Sequence, residues 1–272
     1  MEQHVSWITQ IVNRYFGGIV LTLLSALHIK PDHPNMPIPE HVAMGILVLV
    51  VATILALLLK SRLSVERPGA SQQIAEFLLT NPLQIGINDV LSENAGHHWR
   101  DYVPLVGSIS IFILLANLFG VFPGFSSPTA TVSVPLACAI ITFVYFNWQG
   151  IRHHGVLGYV KTFTGGLSWP LIPLIFPVEI ISTCARLLSL TVRLWANIFA
   201  SDLLYAIFVG LFTSATLAAW AKSPVFGVIV AIFPVTIPIA FVGLHIFVSI
   251  IQAYIFTVLP SVYLGMATAD EH

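Results

Sequence analysis

The sequence predicts an all-α membrane protein with about five membrane helices. Of the 272 residues, 57% are hydrophobic and 8% are charged, and the mean hydropathy is +0.89. Soluble domains carry about 25% charged residues, so this composition is typical of a chain that lies in lipid. The net charge of −1 and the sequence pI of about 6.8 show no basic excess, which argues against nucleic acid as a partner.

Five apolar tracts separated by polar segments are the second observation. The predicted spans are 42–60, 103–122, 132–148, 170–218 and 225–267. The second and third are joined by a turn-rich segment and are predicted to form a helical hairpin. Forty helical residues extend about 60 Å, twice the hydrocarbon thickness, so the last two tracts must break or lie steeply tilted. Pro234 and Pro238 are candidate kinks, but the sequence alone does not choose between breaking and tilting.

The regions outside the spans complete the predicted organisation. Residues 1–41 are predicted to form a periplasmic segment with an interfacial amphipathic helix, and residues 42–272 a single membrane domain. The run at 19–27 has the apolarity of a signal-peptide core, but little positive charge precedes it and no cleavage motif follows, which favours a helix near the membrane surface. Residues 64–101 are predicted to be a polar loop with a partly amphipathic interfacial helix. The sequence assigns no role to the histidine-rich segment 28–41.

The distribution of basic residues predicts the topology. With the N-terminus outside, the inner regions hold Lys60, Arg62, Arg67, Arg100, Arg152 and Lys161, and the outer regions hold Arg14, Lys30 and Lys222. Basic residues are enriched in cytoplasmic loops, so this orientation is favoured and the acidic tail is predicted to be cytoplasmic.

Ionisable residues inside the fourth tract point to function, because a charge within the membrane is costly. At 100° per residue, Glu179, Arg186 and Asn197 lie within about 40° of the direction of Arg193, whereas Asp202 points about 180° away.

The partner of Arg193 is predicted to lie outside this chain. Glu179 is about 21 Å away along the helix axis and Asp202 faces the other side, so a partner on another polypeptide or a substrate anion is expected. Leu190 shares the arginine's face within about 60° and is predicted to contact the same partner. Arg186 fits a structural ion pair and a functional role equally well.

The last tract carries a second polar face. His245, Ser249 and Gln252 share this face at spacings of four and seven.

The motifs of several protein classes are missing from the sequence. No P-loop, GxGxxG or HExxH motif is present, so neither nucleotide binding nor zinc proteolysis is supported. The pair His153–His154 is interpreted as a solvated turn, and neither a metal nor a cofactor is expected. A self-contained transporter is disfavoured because no inverted repeat is visible, and a scaffold is disfavoured by the intramembrane charges.

Four segments together carry a resemblance to a known family. They are RPG at 67–69, NLFGVFPGFSSPTAT at 117–131, EIISTCARLLSLTVRLWANIFASDLL at 179–204 and IQAYIFTVLPSVYLGMA at 251–267. These segments resemble the subunit a family of F-type ATP synthases, and the likeness covers most of the chain from about residue 40. Its most specific part is the surroundings of Arg193 together with the downstream Gln252.

The resemblance implies roles for the polar residues. The family's essential arginine falls on Arg193, its neighbouring asparagine on Asn197 and the cytoplasmic half-channel glutamate on Glu179. The acidic residue of the outer half-channel falls on Asp202, where glutamate or histidine is common in the family. The polar partners on the last helix fall on His245 and Gln252. Arg186 and Ser249 are supporting residues in this interpretation.

The resemblance also implies a place in a larger complex. The chain is then a non-catalytic stator subunit of the membrane (CF0) sector in a bacterial inner membrane, beside a ring of c subunits and the subunit b stalk. The two long tracts are expected to be steeply tilted helices that form a hairpin around the ring. The transported ion is expected to be H⁺ rather than Na⁺, and two aqueous half-channels are expected to couple its flow to ring rotation and ATP synthesis.

Overall fold

The computed structural model describes residues 6–26, 28, 36–65, 67–122, 124–162 and 172–269. Residues 29–35 of the histidine-rich segment, the predicted start of the fourth span at residue 170 and the acidic tail from residue 270 lie outside these ranges. The described residues are helical with no strand, and five of their helices are long and apolar enough to cross a membrane. The predicted fold class is therefore confirmed.

Nine α-helices follow one another in the described part of the chain. They are α1 Trp7–Ala26, α2 Glu40–Ser61, α3 Ala70–Leu79, α4 Ile87–Asn94, α5 Trp99–Phe119, α6 Ser133–Thr162, α7 Ile172–Lys222, α8 Pro224–Val230 and α9 Ile232–Thr268. Short 3₁₀ turns precede α5 at Gly96–His98 and α6 at Pro128–Ala130.

Helix α1 is joined to the segment before α2 by one side chain. The amide of Asn13 donates to the carbonyl oxygen of Ile38 at 2.9 Å, and its own oxygen accepts the Ile38 N–H at 2.9 Å. Helix α2 then begins with Glu40 in its first turn and ends with Lys60 in its last, which suits the helix dipole at both ends.

The polar loop between the first two spans folds into α3 and α4. The Asp89 carboxylate accepts the N–H of Asn81 at 2.9 Å and so ties the turn between the two helices. The C-terminal end of α4 lies against α9. A Cβ on Gly265 would collide with the backbone carbonyl of Asn94, so only glycine allows this approach.

Helices α5 and α6 form the predicted hairpin, and α6 is longer than expected. The sequence predicts a polar break after residue 148, but the helix continues to Gly155, whose φ of +70° bends the chain before the last turns. Hydrophilic side chains do not end a helix by themselves, whereas a glycine with positive φ interrupts its geometry. The hydroxyl of Ser110 on α5 donates to the carbonyl of Ala253 on α9 at 2.8 Å.

The two long tracts behave differently. Helix α7 is unbroken over 51 residues, about 76 Å, more than twice the hydrocarbon thickness. The last tract breaks at Ala231 into α8 and α9, and both Pro234 and Pro238 lie within α9. Position 234 is in the first turn of α9, where a proline removes no intrahelical hydrogen bond, which explains why the helix does not end there.

The chain divides into two compact units that are each discontinuous in sequence. Unit 1 comprises Met1–Val48, Leu115–Thr131 and Leu194–Ile250. Unit 2 comprises Leu49–Leu114, Val132–Arg193 and Ile251–His272. The polar residues singled out by the sequence are divided between these units, and each unit is described below by itself.

Candidate functional site

Arg193 in unit 2 is a half-buried cation on a long apolar helix. Its guanidinium donates to the Ser189 hydroxyl at 3.3 Å. Within the part of the chain that the structure describes, no carboxylate lies at ion-pair distance from this guanidinium. The cation is therefore left with capacity for a further partner.

The neighbours of Arg193 on α7 show which side of the helix is covered. Leu190, Leu194 and Ile198 are 2%, 0% and 0% exposed and define the buried face. The prediction that Leu190 contacts an external partner is wrong, because this side chain is inside the protein. Asn197 is exposed, and no hydrogen bond of its side chain is present among the described residues.

Gln252 contacts the main chain of Arg193 rather than its guanidinium. The side chain is fully buried, and its Nε2 donates to the carbonyl oxygen of Arg193 at 3.4 Å. Its Oε1 is buried without a hydrogen-bond partner among the described residues. A free buried acceptor carries a desolvation cost of about 1–3 kcal/mol, so this oxygen is a place where a donor would stabilise the protein.

His245 is the centre of the polar cluster in unit 1. The ring is 6% exposed, and its Nε2 lies 3.0 Å from the carbonyl oxygen of Asn117. A carbonyl only accepts, so Nε2 must carry a proton. The other nitrogen, Nδ1, lies 3.3 Å from the Ser201 hydroxyl and 3.8 Å from the Asp202 carboxylate.

An open pocket of about 420 Å³ lies beside this cluster. Asp202, whose side chain is 46% exposed, and His245 both line it. Gly120 also lines the pocket, and a Cβ there would lie 3.4 Å from Nε2 of His245 and 3.0 Å from Cβ of Ser127. The glycine therefore allows the close approach of its loop to Ser127, beside the histidine.

Three further polar residues behind His245 were missed by the sequence reasoning. Asn117 and Thr129 are fully buried, and the Thr129 hydroxyl donates to the side-chain oxygen of Asn117 at 2.5 Å. The Ser127 hydroxyl lies 2.7 Å from that of Thr129. A signal was present, because Asn117 is an amide inside an apolar span, but periodicity within one helix cannot identify its partner on another helix.

Ser249 does not reach the polar groups that share its face. It is fully buried, and its hydroxyl donates to the carbonyl oxygen of His245 at 2.7 Å within the same helix. Its contribution in this structure is to the turn of α9 that carries the histidine.

A second charged cluster lies in unit 2. The Arg186 guanidinium is 3.5 Å from the Glu179 carboxylate, and its Cζ lies 5.3 Å from the ring centroid of Tyr263. Thr183 lies one turn after Glu179 and donates to its carbonyl oxygen at 2.9 Å. These residues line a pocket of about 130 Å³, which is large enough for several water molecules.

The side chains in these clusters suit proton transfer and charge pairing better than metal binding. Within the described ranges, no three His, Cys, Asp or Glu side chains converge as a metal site requires. Histidine and carboxylates exchange protons, whereas an arginine stays charged at any accessible pH. Each unit thus combines a carboxylate with a cationic or protonatable partner.

Comparison with known proteins gives a consistent family. Residues 41–265 match the family described as ATP synthase A chain. ATP synthase subunit a of Koribacter versatilis (strain Ellin345) is 39% identical over 273 residues, with 99% of each chain covered. The subunit a of Solibacter usitatus (strain Ellin6076) is 38% identical, covering 96% of this chain and 99% of the relative. The protein named ATP synthase subunit a 3 of Pelobacter propionicus is 35% identical, with 82% and 86% covered.

These matches extend over nearly all of the apolar tracts and the polar residues within them. Such coverage at this level of identity, together with five helices of membrane-spanning length, leaves one assignment. The chain belongs to the ATP synthase A chain family, the family of the membrane-sector subunit a of ATP synthase.

Proposed function

We propose that this chain is the stator that couples H⁺ flow to rotation of a c-ring. The observation that carries the proposal is Arg193, a half-buried guanidinium in a membrane-spanning helix with no carboxylate partner in the described part of the chain. A mid-membrane carboxylate on a partner subunit is the counter-charge that such a cation requires.

The arginine acts by electrostatics and does not carry protons itself. At about 4 Å and an effective dielectric constant near 20, it favours the ionised form of a ring carboxyl by about 4 kcal/mol. A deprotonated carboxyl cannot turn into lipid, so protons cross only if the ring rotates. The unsatisfied Oε1 of Gln252 offers a second acceptor for the guanidinium between encounters with successive ring carboxylates.

Asp202 and His245 are proposed to line the outer half-channel. In neutral His245, the Nε2–H group donates to the carbonyl oxygen of Asn117. Its Nδ1 atom then accepts a hydrogen bond from the Ser201 hydroxyl. A proton taken up at Nδ1 makes an imidazolium, which then pairs with Asp202 instead. The open pocket supplies water to this pair, so a proton can pass between solvent, carboxylate and imidazole without moving the helices.

Glu179 is proposed to line the cytoplasmic half-channel. Its carboxylate is at the wall of the smaller pocket in unit 2 and is 39% exposed, so water reaches it. Arg186 keeps this carboxylate in place from one side while Tyr263 packs under the guanidinium. Asn197, exposed one turn from Arg193, is proposed to contact the ring.

The complex and its orientation follow from the same proposal. The N-terminus is outside, the C-terminus is cytoplasmic, and the long helices α7 and α9 are steeply tilted against the c-ring, with the subunit b stalk as a further partner. At 100 mV, each proton contributes about 2.3 kcal/mol, so several protons are required for each ATP. A self-contained transporter would instead purify as an active single chain, without a c-ring or a catalytic head.

The decisive experiment replaces the arginine in the intact complex. In inverted membrane vesicles, Arg193→Ala is expected to abolish ATP-driven proton pumping while ATP hydrolysis by the detached catalytic head stays normal. Arg193→Lys is also expected to fail, because an ammonium is a compact charge that loses its proton when buried. Arg14→Gln, at an exposed arginine on α1, is the matched control and should pump normally. Normal pumping by Arg193→Ala would refute the proposal.

A cross-linking experiment tests the contact itself. A cysteine at the exposed Asn197 is expected to form a disulfide with a cysteine placed near the ring carboxyl, since the two Cα atoms can approach within about 7 Å. A cysteine at Leu190, which is 2% exposed, should stay silent. A cysteine at Asp202 should react with a water-soluble thiol reagent from the periplasmic side. Disulfides at 190 and 202 with none at 197 would contradict the proposed contact.

A further inference from the structure

A basic pocket in unit 2 lies apart from the clusters described above. It is an open cavity of about 770 Å³ between the start of α5 and the second half of α6. Its charged and titratable lining residues are His98, Arg100, Asp101, Arg152 and His153. The guanidiniums of Arg100 and Arg152 are exposed, and within the described residues neither has a carboxylate at ion-pair distance.

The charges of this pocket are unbalanced in favour of cations. Asp101 is its acidic residue, and it lies 3.7 Å from Nδ1 of His98. Two permanent positive charges therefore face the cavity with one carboxylate that already has a partner. Such a cavity suits an anion with several oxygen acceptors, and arginine binds phosphate oxygens with two parallel hydrogen bonds.

An apolar groove continues from the basic pocket along the same two helices. It has a volume of about 350 Å³ and is lined by Leu105, Ile140, Ile141, Val144, Tyr145 and Trp148. Tyr145 lines both the pocket and the groove, so the two are contiguous. Val144 and Trp148 are 59% and 61% exposed, and both lie inside a helix of membrane-spanning length.

The length of the combined site matches one leaflet of a bilayer. One face of α6 carries Ile141, Val144, Trp148 and Arg152, and the last lies eleven positions after the first. Eleven residues of helix extend about 16 Å, close to half of the ~30 Å hydrocarbon core. Tryptophan at the border between apolar and basic residues is typical of the membrane interface.

We propose that this pocket and groove bind one anionic phospholipid, with its phosphodiester between Arg100 and Arg152 and an acyl chain along the groove. A free phosphate or a soluble phosphate ester would use the cations and leave the apolar groove empty. A membrane helix of another subunit would cover the groove but would leave two arginines without a counter-charge. The phospholipid satisfies both parts of the site, since basic pockets between membrane helices suit anionic headgroups.

Lipid binding by the purified full chain tests the proposal. Native mass spectrometry in detergent with phosphatidylglycerol and phosphatidylcholine should show a preference for the anionic lipid. The double variant Arg100→Gln/Arg152→Gln should weaken phosphatidylglycerol binding about thirtyfold, since each basic residue near a membrane surface contributes about fivefold. The matched control Arg62→Gln/Arg67→Gln, at two exposed arginines outside the pocket, should change it less than about twofold. Equal affinity for both lipids, or equal loss in both variants, would overturn the proposal.

Two further experiments test the role of the groove and the binding of a soluble anion in place of the lipid. Val144→Trp fills the groove without touching either guanidinium and should weaken phosphatidylglycerol binding several-fold; unchanged binding would overturn the role of the groove. Soluble glycerol phosphate should not compete at concentrations equal to the lipid, and efficient competition would indicate a free-anion site instead.

The intact complex decides between a lipid and a protein helix. A photoreactive benzoylphenylalanine in place of Trp148 should, after irradiation of the assembled ATP synthase in its membrane, add the mass of a phospholipid to this chain. A covalent product with another subunit at that position would overturn the proposal, because the groove would then be a protein interface.

Discussion

The carboxylate of the polar cluster in unit 1 and that of the charged cluster in unit 2 have different partners. Asp202 in unit 1 faces the imidazole of His245 at 3.8 Å, and Glu179 in unit 2 faces the guanidinium of Arg186 at 3.5 Å. Histidine gains and loses a proton near neutral pH, whereas arginine keeps its charge. In the proposed function, the first pair exchanges a proton and the second keeps a carboxylate in place.

The two clusters also differ in the pockets and side chains that surround them. The His245 ring has a partner for each nitrogen, and the pocket beside it holds about 420 Å³. The pocket around Glu179 holds about 130 Å³, and the Tyr263 ring underlies the guanidinium. The pocket in unit 1 is therefore about three times larger than the pocket in unit 2, and a proton-exchanging group is expected to matter most in unit 1.

The largest expected effect comes from removing the titrating groups of unit 1. Asp202→Asn is expected to lower passive proton flux through membranes stripped of the catalytic head by about tenfold or more, because general acid–base groups contribute at least that much to proton transfer. His245→Gln should have a similar effect, since an amide can still donate to the carbonyl of Asn117 but cannot be protonated.

A second aspartate–histidine pair provides the control. Asp101 lies 3.7 Å from His98, at almost the same separation, but both side chains are more than half exposed. Asp101→Asn should leave proton flux unchanged. Equal flux in wild type and Asp202→Asn would show that the pair in unit 1 is a packing contact.

The two partners of the ion pair in unit 2, Glu179 and Arg186, can be tested separately. Glu179→Gln is expected to lower proton flux about fivefold, a smaller effect because the pocket beside it is smaller. Arg186→Gln is expected to lower the free energy of unfolding by about 1 kcal/mol through loss of the ion pair and the contact with Tyr263, with a smaller change in flux. Thermal unfolding and proton flux measured on both variants separate a structural role from a conducting role. A larger flux loss in Arg186→Gln than in Glu179→Gln would assign the arginine a conducting role.

The smallest expected effect concerns the glycine that approaches His245. In Gly120→Ala, the new methyl group would lie 3.0 Å from Cβ of Ser127, so Ser127 must shift by a few tenths of an ångström, whereas its distance of 3.4 Å to Nε2 of His245 is an ordinary contact. Proton flux should fall about threefold or less, because the shift of Ser127 disturbs its hydrogen bond with Thr129 behind His245. Gly45→Ala is the control, because nothing lies within 4 Å of its added Cβ. An equal response of both variants would exclude a role for this contact.

The sequence predicts most of the fold but only part of the site. Long apolar tracts and their lengths are properties of local composition, so the five membrane-spanning helices follow directly from them. The sequence leaves Arg186 open between a structural ion pair and a functional role, and the structure pairs it with Glu179 on the same face of α7. By contrast, the burial of Leu190 depends on which neighbour covers α7, and helical periodicity carries no information on that.

Contacts between distant segments explain the other differences. Asn117 is 128 residues from His245, and its carbonyl fixes the histidine's proton, but no spacing rule connects them. The last tract breaks at Ala231, a residue that the sequence does not single out. Proline at the start of a helix is compatible with helical geometry, so the residue type alone does not determine where the helix ends.

Gly265 is expected to affect how much of this protein a cell retains. Because any side chain at this position would collide with the carbonyl of Asn94, Gly265→Ala is expected to separate the end of α9 from α4. A chain that cannot close this contact is expected to be degraded by membrane proteases, since a loss of stability of 1–2 kcal/mol changes cellular abundance several-fold. Such a variant would be detected as a missing subunit on an immunoblot and not as an altered conductance.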